Sequence, residues 1–197
     1  MKNGKEDKLP LVAPLQDVNI HFITQSSSGG YGTSIPVGLC SEYIADDESA
    51  VVIMGDQFFW DGTDHSNTAA LIKLVEEAGV HAGLYGNSLT EEQIPNFGII
   101  EKDENDHFVQ IVEKPRLENA PSNLNNSSFY ILPKEIFELA RTLPPNPARG
   151  EYEITDAINA YVSSGKHIVV GTVKGDYMEC GTVDGWLNAN NTVLSAE

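Results

Sequence analysis

Apolar positions along the chain fall into two rhythms. Short runs rich in β-branched and aromatic residues, bounded by Gly, Pro, Asn or Asp, predict strands at 18–24 (VNIHFIT), 51–54 (VVIM), 80–85, 98–101, 108–112, 128–132 and 167–173. Longer stretches repeat apolar residues every three or four positions and predict helices. These are 35–44, with Pro36 in its first turn; 68–78, where Leu71, Leu74, Val75 and Ala78 share a face and Gly79 ends the run; 134–143, between Pro133 and a double proline; and 151–163. The run 51–54 is apolar without alternation, which predicts a strand covered on both faces. Strands alternating with helices predict an α/β domain over residues 18–197 around a mainly parallel or mixed sheet, behind a polar lead-in at 1–17. No internal repeat or low-complexity tract interrupts the pattern.

Charge narrows the partners. Twelve Lys and Arg stand against 29 Asp and Glu, a formal charge of -17 at pH 7. Such a surface repels nucleic-acid backbones and anionic membranes, so neither is expected as a partner. A small phosphorylated ligand then needs a metal ion or a few cations to reverse the local field. Cys40 and Cys180 stand far apart and outside any CxxC spacing, which predicts neither a zinc site nor a disulfide framework and fits a reducing compartment. The opening MKNGKEDKLP is polar where a signal peptide needs an apolar segment, and no apolar run approaches the ~18 residues of a membrane span. The expectation is a cytoplasmic protein.

Four places offer chemistry. In open α/β sheets the ligand crevice lies beyond the carboxyl ends of the strands. Asp56 stands there, behind Gly55, and suits an acid facing a metal; the same pattern fits a plain turn carboxylate. Gln25 opens the loop QSSSGGYGTS, where an amide can pair with the edge of a base and Gly30 and Gly32 let backbone approach a flat ring. A merely flexible loop has the same composition, and neither GxGxxG nor a P-loop lysine is present. At VEKP, Glu113 and Lys114 leave a strand together; strand alternation sends them to opposite sides unless the strand breaks, and an exposed ion pair explains them equally. In GDYMECGTVDGW, 175–186, Glu179 beside a Gly-rich turn can supply a second carboxylate to a cation held by Asp56, matching the oxygen-ligand habit of Mg²⁺.

Taken in order, QSSSGGYGT, the GD after an apolar strand, FGIIEKD, VEKP, APSNL, FYILPKEIF, GEYEITDAI and ECGTVDGWLNAN resemble the sugar-1-phosphate nucleotidyltransferases, most nearly their bacterial UTP–glucose-1-phosphate uridylyltransferase branch. The resemblance covers the chain from about Leu9 onward. It implies a Rossmann-like mixed sheet of the nucleotidyltransferase type and the formation of UDP-glucose and pyrophosphate from UTP and glucose 1-phosphate with Mg²⁺. By the same resemblance Gln25, Gly30 and Gly32 meet the nucleotide, Asp56 and Glu179 hold the metal, and Gly98, Glu113, Lys114 and Asn125 meet the sugar phosphate. Asp56 and Lys114 carry the catalysis. Glu179 stands where the family has aspartate, and Ser128 where it more often has glycine beside the sugar.

The resemblance also implies a front segment of GGxGTR type, and none stands before Val18. The chain is therefore expected to correspond to the family's later two-thirds, with an apolar sheet edge laid bare and catalysis impaired, because donors preorganised around a triphosphate carry much of such a barrier. A nucleotide-sugar-binding module, a fragment that needs a partner chain, and use of dTTP or another hexose 1-phosphate are the competing expectations. Family members commonly self-associate, and the acidic surface does not forbid a homo-oligomer.

Overall fold

The computed structural model describes residues 18–60 and 66–195. Along the chain run α1 (Ser34–Leu39), a 3-10 turn at Cys40–Tyr43, β1 (Ser49–Ile53), β2 (Gln57–Trp60), α2 (Asn67–Ala78) and β3 (Ala82–Ser88). These are followed by β4 (Gly98–Lys102), β5 (Phe108–Glu113), β6 (Leu124–Pro133), α3 (Lys134–Thr142) and α4 (Ile154–Ser163). The last elements are β7 (Ile168–Thr172), β8 (Asp176–Glu179) and α5 (Val183–Ser195).

Six strands form one sheet in the order β5-β4-β6-β3-β7, with β1 also on β6. Among the described residues only β3 and β7 pair in parallel; β6 is antiparallel to β1, β3 and β4. The sheet is thus mixed rather than mainly parallel. One edge of β6 pairs with β3 along its length, and the other is shared. There β4 meets Asn125, β1 meets Phe129 to Pro133, and residues 126–128 between them have neither as a register partner. That interruption positions the site.

Helices cover both faces. On one, Leu84, Ile100, Ile111, Tyr130 and Leu132 pack against Val37 of α1, Ile136 and Phe137 of α3 and Ile158 and Tyr161 of α4. Burying each such side chain contributes about 1.5–3 kcal/mol. On the other, Leu71 and Val75 of α2 meet Tyr85, Phe129 and Ile131, with Phe59 of β2 leaning in. The expected helix 68–78 is present as α2: the Ser66 hydroxyl accepts from the Ala69 N–H at 3.2 Å, and Gly79, at φ +65°, closes it in the left-handed conformation.

Four expectations are corrected. Residues 18–24 form no strand: Val18, Ile20 and Phe22 are exposed, Phe22 by 94%, because no described strand pairs with them and strand preference is realised only in a ladder. The strand at 51–54 is not covered on both faces: Ala50, Val52 and Met54 pack against the core on one face, while Val51 and Ile53 on the other are exposed. The helix expected from Glu151 begins at Ile154, because Tyr152 is drawn into a bridge, its N–H on the Tyr31 carbonyl and its carbonyl on the Ser34 N–H, both at 2.9 Å. The strand expected at 167–173 is not the last: β8 and the start of α5 lie within 175–186. The lead-in at 1–17 lies outside the described residues. Among those described, no helix is long and apolar enough to cross a membrane.

Candidate active site

Above the interruption in β6 opens a cavity of about 610 Å³. The antiparallel register explains its walls: the end of β1 delivers Met54 and Asp56 to one side of residues 126–128, and the start of β4 delivers Gly98 to the other. Asn126, Ser128 and Tyr130 form the floor. Ser128 has φ +51°, so a glycine there has a backbone reason besides any contact with sugar.

At one rim stand Gln25, Tyr31, Gly32 and Thr33. The loop that carries them is stitched to the entry of α4 by the Tyr152 bridge and by the Ile154 N–H, which donates to Thr33 Oγ1 at 3.1 Å. Gly32, at φ +139°, lies directly on the Tyr152 backbone. Gly30 does not line the cavity; it seats on the Tyr152 ring, which a Cβ would approach to 2.7 Å.

Asp56 and Glu179 share the next wall because β2 and β8 pair in a separate antiparallel ribbon, with Gln57 opposite Glu179 and the Cys180 N–H donating to the Asp56 carbonyl at 2.7 Å. Both carboxylates reach Gly181, where a Cβ would lie 2.6 Å from Glu179 Oε1 and 3.4 Å from Asp56 Oδ2. Among the described residues neither acid forms an ion pair. Two hard oxygen donors with open space beside them fit Mg²⁺, which keeps several waters and takes one or two carboxylates; no group of three or more His, Cys, Asp or Glu that could hold a metal ion occurs among the described residues. Glu179 also supports the local backbone, since its Oε1 accepts from the Gly181 N–H at 2.7 Å, at the entry of α5. Nearby, the Tyr177 hydroxyl donates to Gln57 Oε1 at 2.5 Å, and Gln57 Nε2 donates to the Ser127 carbonyl at 2.5 Å. Burial, then the charges of Glu179 and Asp56, push the Tyr177 phenol up to about 12, so it stays protonated.

Glu113 and Lys114 meet in the same cavity because the strand breaks between them. Lys114 adopts φ +45° and donates its N–H to the Phe97 carbonyl at 3.0 Å, which turns its side chain to the side that Glu113 faces. Gly98 is opposite Glu113 in the ladder, and a Cβ there would stand 2.8 Å from Glu113 Oε1. Burial raises the Glu113 carboxyl above its usual range, helped by the charge of Glu153; the Thr155 hydroxyl, Arg149 and Lys114 oppose that shift. Arg149 Nε donates to Glu153 Oε1, and its Nη2 reaches Glu151 at 3.4 Å.

Of the expected site residues, Gln25, Gly32, Asp56, Gly98, Glu113, Lys114 and Glu179 come together. Asn125 does not. It is fully buried behind the floor, its Oδ1 accepting from the Asn87 N–H and the Ser127 hydroxyl, both at 3.1 Å; its neighbour Asn126 lines the cavity instead, since successive strand residues face opposite ways. The sequence reading missed Asn126, Tyr177 and the group Arg149, Glu153 and Thr155. The last lies in and beside GEYEITDAI, where charges at every second position from Arg149 to Glu153 were the available signal.

The sequence profile of the Nucleotidyl transferase family matches residues 2–196. A Methanocaldococcus jannaschii protein provisionally named UTP–glucose-1-phosphate uridylyltransferase is 29% identical over 194 residues, covering 96% of this chain and 65% of that protein. The low-salt glycan biosynthesis nucleotidyltransferase Agl11 of Haloferax volcanii is 29% identical over 196 residues, covering 97% of this chain and 50% of the relative. In fold, a crystal structure of UDP-glucose pyrophosphorylase complexed with UDP-glucose superposes with a TM-score of 0.84 at 23% identity, covering 100% of this chain and 74% of that one. The chain thus spans between half and two thirds of the length of these two relatives. With its profile matched almost end to end, the chain belongs to the nucleotidyl transferase family.

Proposed function

We propose that this chain carries the nucleotide and sugar-phosphate sites of an enzyme that joins UTP and glucose 1-phosphate into UDP-glucose and releases pyrophosphate. The observation that carries the reading is the placement of two charged pairs in one cavity: Asp56 with Glu179, and Glu113 with Lys114, with Gln25 at the rim. The relatives' names support the class of reaction, and the residues lining the walls are consistent with the following roles. Gln25 pairs with the edge of the base, and the Gly32 backbone lies against its ring. Lys114 holds the phosphate of the sugar phosphate, and Glu113 accepts from sugar hydroxyls beside Gly98.

An oxygen of the sugar phosphate attacks the α-phosphorus of UTP, the bond from that phosphorus to the bridging oxygen breaks, and pyrophosphate leaves. No covalent intermediate with the protein is needed; positioning and charge neutralisation supply the rate. Mg²⁺ held by Asp56 and Glu179 supplies neutralisation of phosphate charge in an otherwise acidic cavity. Tyr177, kept as a neutral phenol, fixes Gln57 and with it the ribbon that carries both acids.

Calorimetric titration with UDP-glucose, with and without Mg²⁺, tests the binding, and pyrophosphate release from UTP and glucose 1-phosphate tests turnover. Saturable binding strengthened by Mg²⁺ is expected. A folded sample that gives no heat with UDP-glucose defeats the reading.

A further inference from the structure

Two buried side-chain atoms in the cavity wall have no hydrogen-bond partner among the described residues: Glu153 Oε2 and Thr155 Oγ1. Glu153 is 8% and Thr155 3% exposed, and both line the cavity on the side of Glu113 and Lys114. A buried acceptor left dry costs free energy that the fold must offset elsewhere, so two in one wall mark a place that a ligand completes. A third unpaired atom, Asn125 Nδ2, lies behind the floor and does not belong to this wall.

The two atoms differ in what they accept. Glu153 Oε1 is taken by Arg149, which also neutralises the carboxylate, so Oε2 is a buried acceptor with no need of a cationic partner. The Thr155 hydroxyl can donate or accept, and it lies close enough to Glu113 to favour that carboxylate's charged form without completing a hydrogen bond. A ligand that offers a neutral donor to Glu153 Oε2 and a donor or acceptor to the Thr155 hydroxyl satisfies both, as two hydroxyls of one hexose ring do.

We infer that Glu153 Oε2 and the Thr155 hydroxyl bind neighbouring ring hydroxyls of the sugar, making Glu153 a specificity-determining residue that rejects sugars lacking the hydroxyl it accepts. The inference rests on the nucleotide-sugar reading above. A site built to bond a hydroxyl discriminates strongly against the analogue without it, because its buried polar atom is then left unpaired.

The test is calorimetry of the wild-type chain, Glu153→Gln and Thr155→Val with UDP, UDP-glucose and the 2-, 3-, 4- and 6-deoxy analogues of UDP-glucose. The wild type is expected to bind one analogue at least about tenfold more weakly than UDP-glucose. Glu153→Gln is expected to weaken UDP-glucose by about the same factor, leaving that analogue's affinity within about threefold of its wild-type value. Thr155→Val, near-isosteric and still testable if Glu153→Gln does not fold, is expected to remove discrimination at the adjacent hydroxyl. Equal weakening of UDP, UDP-glucose and every analogue by Glu153→Gln overturns the inference, because Glu153 then acts only through Arg149. Unchanged discrimination in both variants also overturns it, with the nucleotide-sugar reading intact. If the wild type binds neither UDP nor UDP-glucose, both readings fall together.

Discussion

Gly32 lies flat on the backbone of Tyr152, so closely that a Cβ would overlap the Tyr152 carbonyl oxygen and stand 2.6 Å from its nitrogen. The two hydrogen bonds on either side, Tyr152 N–H to the Tyr31 carbonyl and Ser34 N–H to the Tyr152 carbonyl, hold the strip in register at 2.9 Å. Gly32→Ala adds both a clash and a disfavoured φ of +139°, and should cost about 1–3 kcal/mol or more. Because the strip carries Gln25 to the cavity rim, nucleotide binding should weaken with it. Gly55→Ala, where nothing lies within 4 Å of the added atom, is the control for thermal unfolding.

Lys114 is the cation that the left-handed turn at φ +45° directs into the cavity. Removing one charge-assisted contact costs about 1.5–3 kcal/mol, so Lys114→Ala should raise the KM for glucose 1-phosphate by about tenfold to a hundredfold. Binding of UTP should change far less. Steady-state kinetics with each substrate varied in turn makes the comparison, and an unchanged sugar-phosphate KM removes Lys114 from the phosphate.

The Glu113 carboxyl titrates above its usual value of 4.5, chiefly because burial disfavours its charge. Its neutral form is therefore better accommodated in the fold than in the unfolded chain. That contribution to stability is complete below pH 4.5 and is lost as pH rises through the raised value. Glu113→Gln keeps the neutral shape at every pH. Its thermal midpoint should match the wild type in acid and exceed it at pH 7 and above, where ~1 kcal/mol reads as about 2–4 °C in a domain of this size. The same variant should bind sugar more weakly, so stability and binding are expected to move in opposite directions. A wild-type advantage at neutral pH counts against the burial account.

Asp56 and Glu179 should separate on substitution. Asp56→Asn should abolish the Mg²⁺ dependence of nucleotide binding with little change in thermal midpoint, as among the described residues Asp56 is tied to the ribbon by its carbonyl. Glu179→Ala should lose the metal response and also ~0.5–2 kcal/mol of stability, because its carboxylate accepts from Gly181 at the entry of α5. Magnesium titrations followed by nucleotide fluorescence, beside thermal melts, distinguish the two; a surviving metal response in Asp56→Asn defeats its assignment.

Local signals made α2 and α3 legible, since an apolar period ending at Gly79 or between prolines leaves one solution. Residues 18–24 carry an equally good strand pattern and form none, because a strand needs a partner as well as a propensity. The ribbon of β2 and β8 was invisible for a related reason: its pairing joins segments with no local trace of each other. At the site, the residue types at VEKP were readable but their convergence was not. It depends on a left-handed lysine directly before a proline, a conformation that local preference opposes. The choice of Asn126 over Asn125 turned on strand parity, which two adjacent identical residues cannot signal.

The ribbon also fixes when Asp56 and Glu179, the proposed metal ligands, come together. Gln57 and Tyr177 are 120 positions apart, so this contact closes one of the longest loops in the chain, while β3 to β6 pair among themselves much earlier along the sequence. During synthesis all six strands of the main sheet leave the ribosome before β8, and the two acids stay apart until β8 follows. The nascent chain thus acquires the strands of its core before it can bring these two acids together. Opening the ribbon in the finished protein would part Asp56 from Glu179 without breaking any pairing of the main sheet, which makes those two short strands a latch on the proposed metal site.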